Sequence, residues 1–232
     1  MTQKLEYVPT EGPIDKDVPT LVSFALCPFV QRSVITLKVK GKPFHMAYID
    51  LEKPPTWFLE AVPTAKVPAL FVDDTVLFES AVINEYIDES FGARLQELST
   101  LDRARERAWI RYVEELVMDQ YRLLTAETQS DFQAHKQSLF QRLGVLSGMA
   151  GARFFSGDAF GLLDAAIAPV FMRLKLMPAV YRDLESEFGA HHRLFSWIEN
   201  LMQMDEVRDS VVEDFEVRFY NYFEQAGVVS AA

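Results

Sequence analysis

The chain has 232 residues, 49% of them apolar and 25% charged, which is the composition of a soluble globular protein with one large domain or two small ones. Its 23 basic and 34 acidic residues give a formal net charge of −11, which argues against unspecific binding to nucleic acid or anionic lipid. A membrane-spanning helix needs about 18 consecutive apolar residues, and no apolar run in the sequence is that long. The first residues are polar, proline-containing and unlike a signal peptide, so we expect a cytoplasmic protein.

The first ninety residues or so alternate short apolar runs with helical patterns. Strands are predicted at residues 21–26, 44–51, 67–72 and 75–78, and helices at 28–40 and 79–90. The pair Pro54-Pro55 breaks the chain before residues 56–62, which are predicted to form a short helix or an irregular loop. The order β-α-β-α-β-β-α predicts a small mixed sheet with helices on its faces.

Only helical patterns follow residue 78. A long helix is predicted around residues 108–117, and four more at 131–149, 162–176, 191–202 and 207–223. The helix at 162–176 is apolar nearly all round, so we expect it at the centre of a bundle, kinked or ended by Pro169. We therefore predict an N-terminal extension at 1–19, an α/β domain at 20–92 and an all-α domain at 100–225.

Cys27 is the single cysteine of the chain, which excludes an intrachain disulfide and any metal site built from two or more thiolates. It is either a buried small hydrophobic residue or a reactive thiol. Its place between the first strand and the first helix favours the thiolate, because free N–H groups and the helix dipole stabilise negative charge there. Arg32 is near enough in sequence to add positive charge. Since the third residue after Cys27 is Val30, the thiol needs an external partner thiol for a redox cycle.

The histidines of the chain form no metal-binding pattern. His191 and His192 are adjacent, so they cannot share one helix face, and His45 and His135 are far from them in sequence. We predict no metal site. The sequence contains no glycine-rich phosphate loop, no pattern of a Ser/His/Asp triad and no zinc-binding helix motif.

Four segments resemble the cytosolic glutathione transferases, in the family order and at the family spacing. They are CPFVQR (27–32), DLEKPPTWF (50–58), KVPAL (66–70) and ESAVINEYIDE (79–89). The resemblance is strongest to the cysteine-type members, namely the omega, lambda and dehydroascorbate reductase classes, and to the related chloride intracellular channel proteins. It implies a thioredoxin-like glutathione-binding domain followed by an all-helical domain, and it implies a homodimer. The helical part is similar in architecture and in the segment GDAFGLLDAAIAP (157–169), where Gly161 and Asp164 keep half of the family's Ser/Thr-x-x-Asp capping box.

The resemblance also implies roles for individual residues. Cys27 would form a mixed disulfide with glutathione, and Phe29 would line the site beside it. Val67 would pair its backbone with the cysteinyl part of glutathione, exposed by a cis peptide bond at Pro68. Other contacts are implied at the two ends of glutathione: Glu79 and Ser80 at the γ-glutamyl end, and Lys53 or Lys66 at the glycyl carboxylate. Trp109 and Tyr112 are candidates for lining a pocket for the second substrate, although their spacing favours a helix core stripe.

The function implied is glutathione-dependent thiol transfer or reduction, with a small electrophilic or disulfide substrate and with glutathione as co-substrate. Thioltransferase, dehydroascorbate reductase and deglutathionylase activities all fit a cysteine nucleophile. Two alternatives stay open at this point. One is a non-enzymatic binding or regulatory relative that keeps only the fold. The other is a relative of the chloride intracellular channel proteins, although the polar residues of the first predicted helix are unfavourable for membrane insertion.

Overall fold

The structure is a computed structural model, which describes residues 18–151, 153–189 and 192–225. All but the last two residues of the predicted extension at 1–19 lie outside this range. The chain divides into two compact units. The first contains the residues up to Arg94 together with Asp209–Glu213, and the second contains Leu95–Arg208 and the residues from Asp214 onwards.

The first unit is built on a mixed four-stranded sheet, as predicted. Its strands are β1 (Thr20–Ser23), β2 (His45–Tyr48), β3 (Ala69–Val72) and β4 (Thr75–Phe78), in the order β2-β1-β3-β4. β2 runs parallel to β1, whereas β3 is antiparallel to both β1 and β4. Strand β1 ends at Ser23 and not at residue 26, because the chain turns there and the Cys27 N–H donates to the Phe24 carbonyl at 3.0 Å.

Three helices cover the sheet: α1 (Pro28–Val39), α2 (Thr56–Ala61) and α3 (Ser80–Ser90). Every residue of α1 from Val30 to Leu37 is buried. The helix is held on two further sides by hydrogen bonds. At its end, Lys40 Nζ contacts the Asp88 carboxylate at 3.3 Å, which ties it to α3. In its first turns, Gln31 Nε2 donates to Ser210 Oγ at 2.9 Å, which ties it to the segment Asp209–Glu213.

The second unit is helical. It contains α4 (Thr100–Leu124), α5 (Gln129–Met149), α6 (Leu162–Lys175), α7 (Pro178–Phe188), α8 (Arg193–Met202), α9 (Asp205–Arg208) and α10 (Phe215–Gln225). Helix α6 is buried along nearly its whole length, as predicted. Pro169 does not end it, since the helix continues to Lys175. The Pro169 carbonyl accepts a hydrogen bond from the Arg173 side chain, at 2.8 Å from Nη1.

Two predictions for this unit were wrong. Helix α7 was not predicted, because only Val180 and Leu184 of its residues are buried and the apolar signal is correspondingly short. The single helix predicted at 207–223 is interrupted, since α9 ends at Arg208 and α10 begins at Phe215. The segment between α9 and α10 includes Asp209–Glu213, which belongs to the first unit.

Asp164 anchors the N-terminus of α6. Its carboxylate accepts hydrogen bonds from the Gly161 N–H at 2.9 Å, from the Phe155 N–H at 2.9 Å and from Trp197 Nε1 at 2.7 Å. The half of the capping box that the sequence retains is therefore present, and the same side chain joins α6 to α8. Burial raises the pKa of Asp164 from its ordinary value of 3.8 to about 6.

Candidate active site

Cys27 is the N-cap residue of α1. Its backbone is extended, with φ −72° and ψ 115°, and its carbonyl accepts the helical hydrogen bond from the Gln31 N–H at 3.1 Å. Pro28 occupies the first helical position, where a missing N–H costs nothing. The thiol is half-buried and packs against the core cluster that contains Val30 and Ile83. The lone cysteine is thus a partly accessible group at the positive end of a 12-residue helix.

The peptide bond between Val67 and Pro68 is cis, as the family resemblance implied. Pro68 is buried, and Val67 is half-buried against the same core cluster as Cys27. Strand β3 begins only at Ala69, so the backbone N–H and C=O of Val67 lie outside the strand ladder. Cys27 and Val67, whose backbone lies outside the strand ladder, therefore pack against the same core cluster.

Glu79 and Ser80 form the beginning of α3. Glu79 is the N-cap residue, and its backbone has φ 67° and ψ 108°, a conformation that residues with a side chain rarely adopt. Its carboxylate is exposed and does not cap the helix. Ser80 is 4% exposed, and its Oγ accepts a hydrogen bond from Arg32 Nη2.

Arg32 has contacts with candidate site residues that the sequence did not reveal. Its side chain is 2% exposed, and its Cζ lies 5.2 Å from the centre of the Phe29 ring. The guanidinium thus contacts both Phe29, two residues after Cys27, and Ser80, the first residue of α3. One signal was available in the sequence: a charged residue among the apolar positions of α1 has to find a partner when the helix is enclosed.

The two lysines proposed for the glycyl carboxylate lie in different loops. Lys66 directly precedes Val67, whereas Lys53 lies between β2 and α2. Both are exposed. Lys66 therefore adjoins the segment with the cis proline, whereas Lys53 is remote from that segment along the chain.

Trp109 and Tyr112 lie one turn apart on α4, in the second unit. Their rings meet edge to face with centroids 5.5 Å apart, and Trp109 also contacts Phe155 at 6.0 Å. Arg142 of α5 lies over the Tyr112 ring, with its Cζ 5.4 Å from the ring centre. Both aromatic side chains are half-buried. They belong to an aromatic cluster of this unit, and their role toward a second substrate stays a prediction.

Metal-binding clusters and membrane-spanning helices are both absent from the described part of the chain. Between residues 18 and 225, leaving out the three undescribed positions, no group of three or more His, Cys, Asp or Glu side chains could hold a metal ion. Over the same residues, no helix has both the length and the apolar character needed to cross a membrane.

The chain is similar to known glutathione transferases in sequence and in fold. Residues 26–90 match the family model described as glutathione S-transferase, N-terminal domain. A rat glutathione S-transferase omega-1 is 30% identical over 174 residues, which cover 72% of this chain and 71% of the rat protein.

Solved structures of glutathione transferases have the same fold as this chain. An omega-class glutathione transferase, 3C, from Trametes versicolor superposes with a TM-score of 0.75 at 26% identity, covering 89% of this chain and 94% of that one. A rice glutathione transferase solved in complex with glutathione has the same fold, with a TM-score of 0.73 at 24% identity, covering 90% of this chain and 96% of that one.

These likenesses extend over both units and confirm the predicted fold class, a thioredoxin-like α/β domain followed by a helical domain. With Cys27 at the N-terminus of α1 and with relatives of the omega class, the chain belongs to the glutathione S-transferase family of enzymes, among its cysteine-type members.

Proposed function

We propose that this protein is a glutathione-dependent thiol transferase whose nucleophile is Cys27. The observation that carries the proposal is the position of a half-buried thiol as N-cap of α1, at a helix end that stabilises a thiolate. A serine or tyrosine hydroxyl at such a place would activate glutathione by donating a hydrogen bond. A cysteine there is suited to covalent exchange.

The proposed reaction is a pair of thiol–disulfide exchanges. The Cys27 thiolate attacks the glutathione sulfur of a mixed disulfide, the S–S bond breaks, and the substrate leaves as a thiolate that takes up a proton. A second glutathione thiolate then attacks the Cys27–glutathione disulfide, which releases oxidised glutathione and restores the Cys27 thiolate. Because Cys27 is the single cysteine of the chain, the second thiol comes from glutathione. Reduction of dehydroascorbate by two glutathione molecules fits the same nucleophile.

The residues around Cys27 supply complementary groups for glutathione. Val67 would pair its backbone N–H and C=O with the cysteinyl residue, as an added strand does at a sheet edge. Ser80 and the free N–H groups at the start of α3 would receive the γ-glutamyl carboxylate, and the Glu79 carboxylate would receive its ammonium group. Lys66 is the better placed of the two lysines for the glycyl carboxylate because it adjoins Val67. Phe29 would line the site, and Trp109 and Tyr112 are the candidates for contact with the second substrate.

We further propose that the protein acts as a homodimer. Apolar side chains are exposed on consecutive elements of the first unit, Phe78 at the end of β4 and Val82 in α3, with 38% and 54% exposure. An exposed pair of this kind is a candidate interface patch. A symmetric dimer is the commonest assembly for such proteins.

Intact-mass measurement tests the proposed function. After brief incubation with oxidised glutathione near neutral pH, we expect a single adduct of one glutathione per chain, which excess reduced glutathione removes. The Cys27→Ser variant is the matched control, and we expect it to form no adduct and to lose at least ~1,000-fold of the thiol-transfer rate. A wild-type chain that forms no adduct, or a Cys27→Ser variant that keeps full turnover, would rule out the proposed mechanism.

A further inference from the structure

The contact between Arg32 and Ser80 joins two elements that the proposed function uses separately. Arg32 lies in the second turn of α1, the helix that begins after Cys27, and Ser80 is the first residue of α3. Both side chains are buried, at 2% and 4% exposure, and Arg32 Nη2 donates to Ser80 Oγ. The guanidinium is also held over the Phe29 ring. Its position is therefore defined from two sides.

This contact determines which way the Ser80 hydroxyl can act. A guanidinium has only donors, so Ser80 Oγ must be the acceptor in the hydrogen bond with Arg32. The single proton of the hydroxyl is then left to be donated elsewhere. A carboxylate has only acceptors, and the free N–H groups of the first turn of α3 also donate. The Arg32 contact thus turns the beginning of α3 into a set of donors suited to a carboxylate.

We propose that Arg32 is a positioning residue for the α-carboxylate of the γ-glutamyl group of glutathione. It holds the Ser80 hydroxyl as a donor toward that carboxylate and places a positive charge behind it. The role rests on the proposed function, since it requires glutathione as the ligand. In this role Arg32 acts through Ser80.

The chemistry of the contact favours arginine over lysine. The guanidinium donates to Ser80 with one nitrogen while its central carbon lies over the Phe29 ring. An ammonium group keeps the charge but lacks the planar, forked arrangement of donors. Arg32→Lys is therefore expected to retain part of the effect. Arg32→Gln, which removes the charge, is expected to lose it.

The test is calorimetric binding of two probes to the full chain. One probe is S-methylglutathione, and the other is the same tripeptide with 4-aminobutyrate in place of the γ-glutamyl residue, so that only the α-carboxylate is missing. For the wild-type chain we expect the complete probe to bind about 10- to 100-fold more tightly, as for one buried charge-assisted contact. For Arg32→Gln we expect that preference to fall below threefold, for Arg32→Lys an intermediate preference, and for both variants nearly unchanged binding of the probe without the carboxylate.

A merely structural role would give a different pattern. If Arg32→Gln weakens both probes by the same factor, or if the wild-type chain binds both equally, the positioning role is overturned. Should Arg32→Gln not fold, Ser80→Ala decides, since the proposal requires it to lose the same preference between the probes, and an unchanged preference refutes it. A wild-type chain that binds neither probe refutes the proposed function itself, which separates the two failures.

Discussion

Glu79, a residue of the proposed γ-glutamyl site, has a strained backbone. Its φ of 67° is unfavourable for any residue that has a Cβ, and such a conformation costs about 1–3 kcal/mol. Its carboxylate is exposed and does not cap α3, so a side-chain cap does not account for the conformation. A strained residue next to Ser80, at the proposed γ-glutamyl site, is what a binding requirement would produce.

Replacing Glu79 should therefore separate stability from binding. We expect Glu79→Gly to raise the free energy of unfolding by about 1 kcal/mol, because glycine has no Cβ to clash with the backbone at positive φ. Glu79→Ala keeps the Cβ and should leave stability nearly unchanged. Both variants lose the carboxylate, so both should bind S-methylglutathione more weakly. Urea unfolding and calorimetry measure the two effects, and a Glu79→Gly variant less stable than Glu79→Ala would contradict the assignment of strain.

At the element scale, a buried carboxylate joins the two longest helices of the second unit. Asp119 of α4 is 3% exposed and accepts from Arg142 Nε of α5 at 2.8 Å and from Ser138 Oγ of α5 at 2.9 Å. Arg122, on the next turn of α4, contacts its other oxygen at 3.1 Å. The carboxylate is thus satisfied from both helices. The guanidinium groups that pair with it reach solvent in part, which moderates the cost of breaking the network.

We expect Asp119→Asn to lower the free energy of unfolding by about 2 kcal/mol, because the new amide group presents a donor to arginine donors. Glu115→Gln is the matched control on the same helix. Glu115 contacts Arg111 at 3.7 Å in an exposed ion pair, so its replacement should change stability by less than about 0.5 kcal/mol. Urea unfolding of the two variants measures the difference, and equal effects would mean that the buried network contributes no more than a surface pair.

At the scale of the whole molecule, the charge state of Asp164 links stability to pH. Its pKa is raised to about 6 in the folded chain by burial, against an ordinary value of 3.8. Between these values the folded chain holds a proton that the unfolded chain has lost, so the contribution of this group to stability falls as pH rises. The contribution is complete below about pH 4 and is lost above about pH 6, a difference of about 3 kcal/mol.

The Asp164→Asn variant isolates this effect from the titration of the other carboxylates. We expect the stability advantage of the wild-type chain over the variant to shrink by about 3 kcal/mol between pH 4 and pH 7, measured by urea unfolding at several pH values. The variant itself should be less stable at every pH, because an amide nitrogen faces the N–H donors of Gly161, Phe155 or Trp197. A wild-type advantage that is constant or grows with pH would show that the folded carboxyl is ionised throughout.

The proposed dimer is also a property of the whole molecule. Sedimentation velocity should give the mass of two chains for the wild type and of one chain for the Val82→Glu variant, since a buried charge without a partner opposes association. Val217→Glu is the control, because Val217 is 61% exposed on α10, in the second unit. A wild-type chain that sediments as a monomer at micromolar concentration would contradict the proposal.

The local features of this protein could be predicted from patterns of neighbouring residues. Apolar periodicity predicted all four strands and most helices, because the side-chain period of a strand or an amphipathic helix is written in neighbouring residues. The helix start after Cys27 followed from Pro28, and the cis bond at Pro68 followed from the family resemblance of short segments. The roles of Glu79 and Ser80 rest on the same resemblance and stay predictions. The interruption between α9 and α10 was missed, since Asp209–Glu213 leaves the helical unit to pack in the first one.

The enclosure of α1 and the contacts of its polar residues depend on tertiary packing and were not predicted from the sequence. Gln31 meets Ser210 across 179 positions of the chain, and Arg32 meets Ser80 across 48. No local pattern encodes such contacts, because they depend on which elements the fold brings together and on the cost of burying a polar group without a partner. The position of the thiol was therefore readable in the order of the residues, whereas the buried guanidinium beside the beginning of α3 became visible only when the chain was folded.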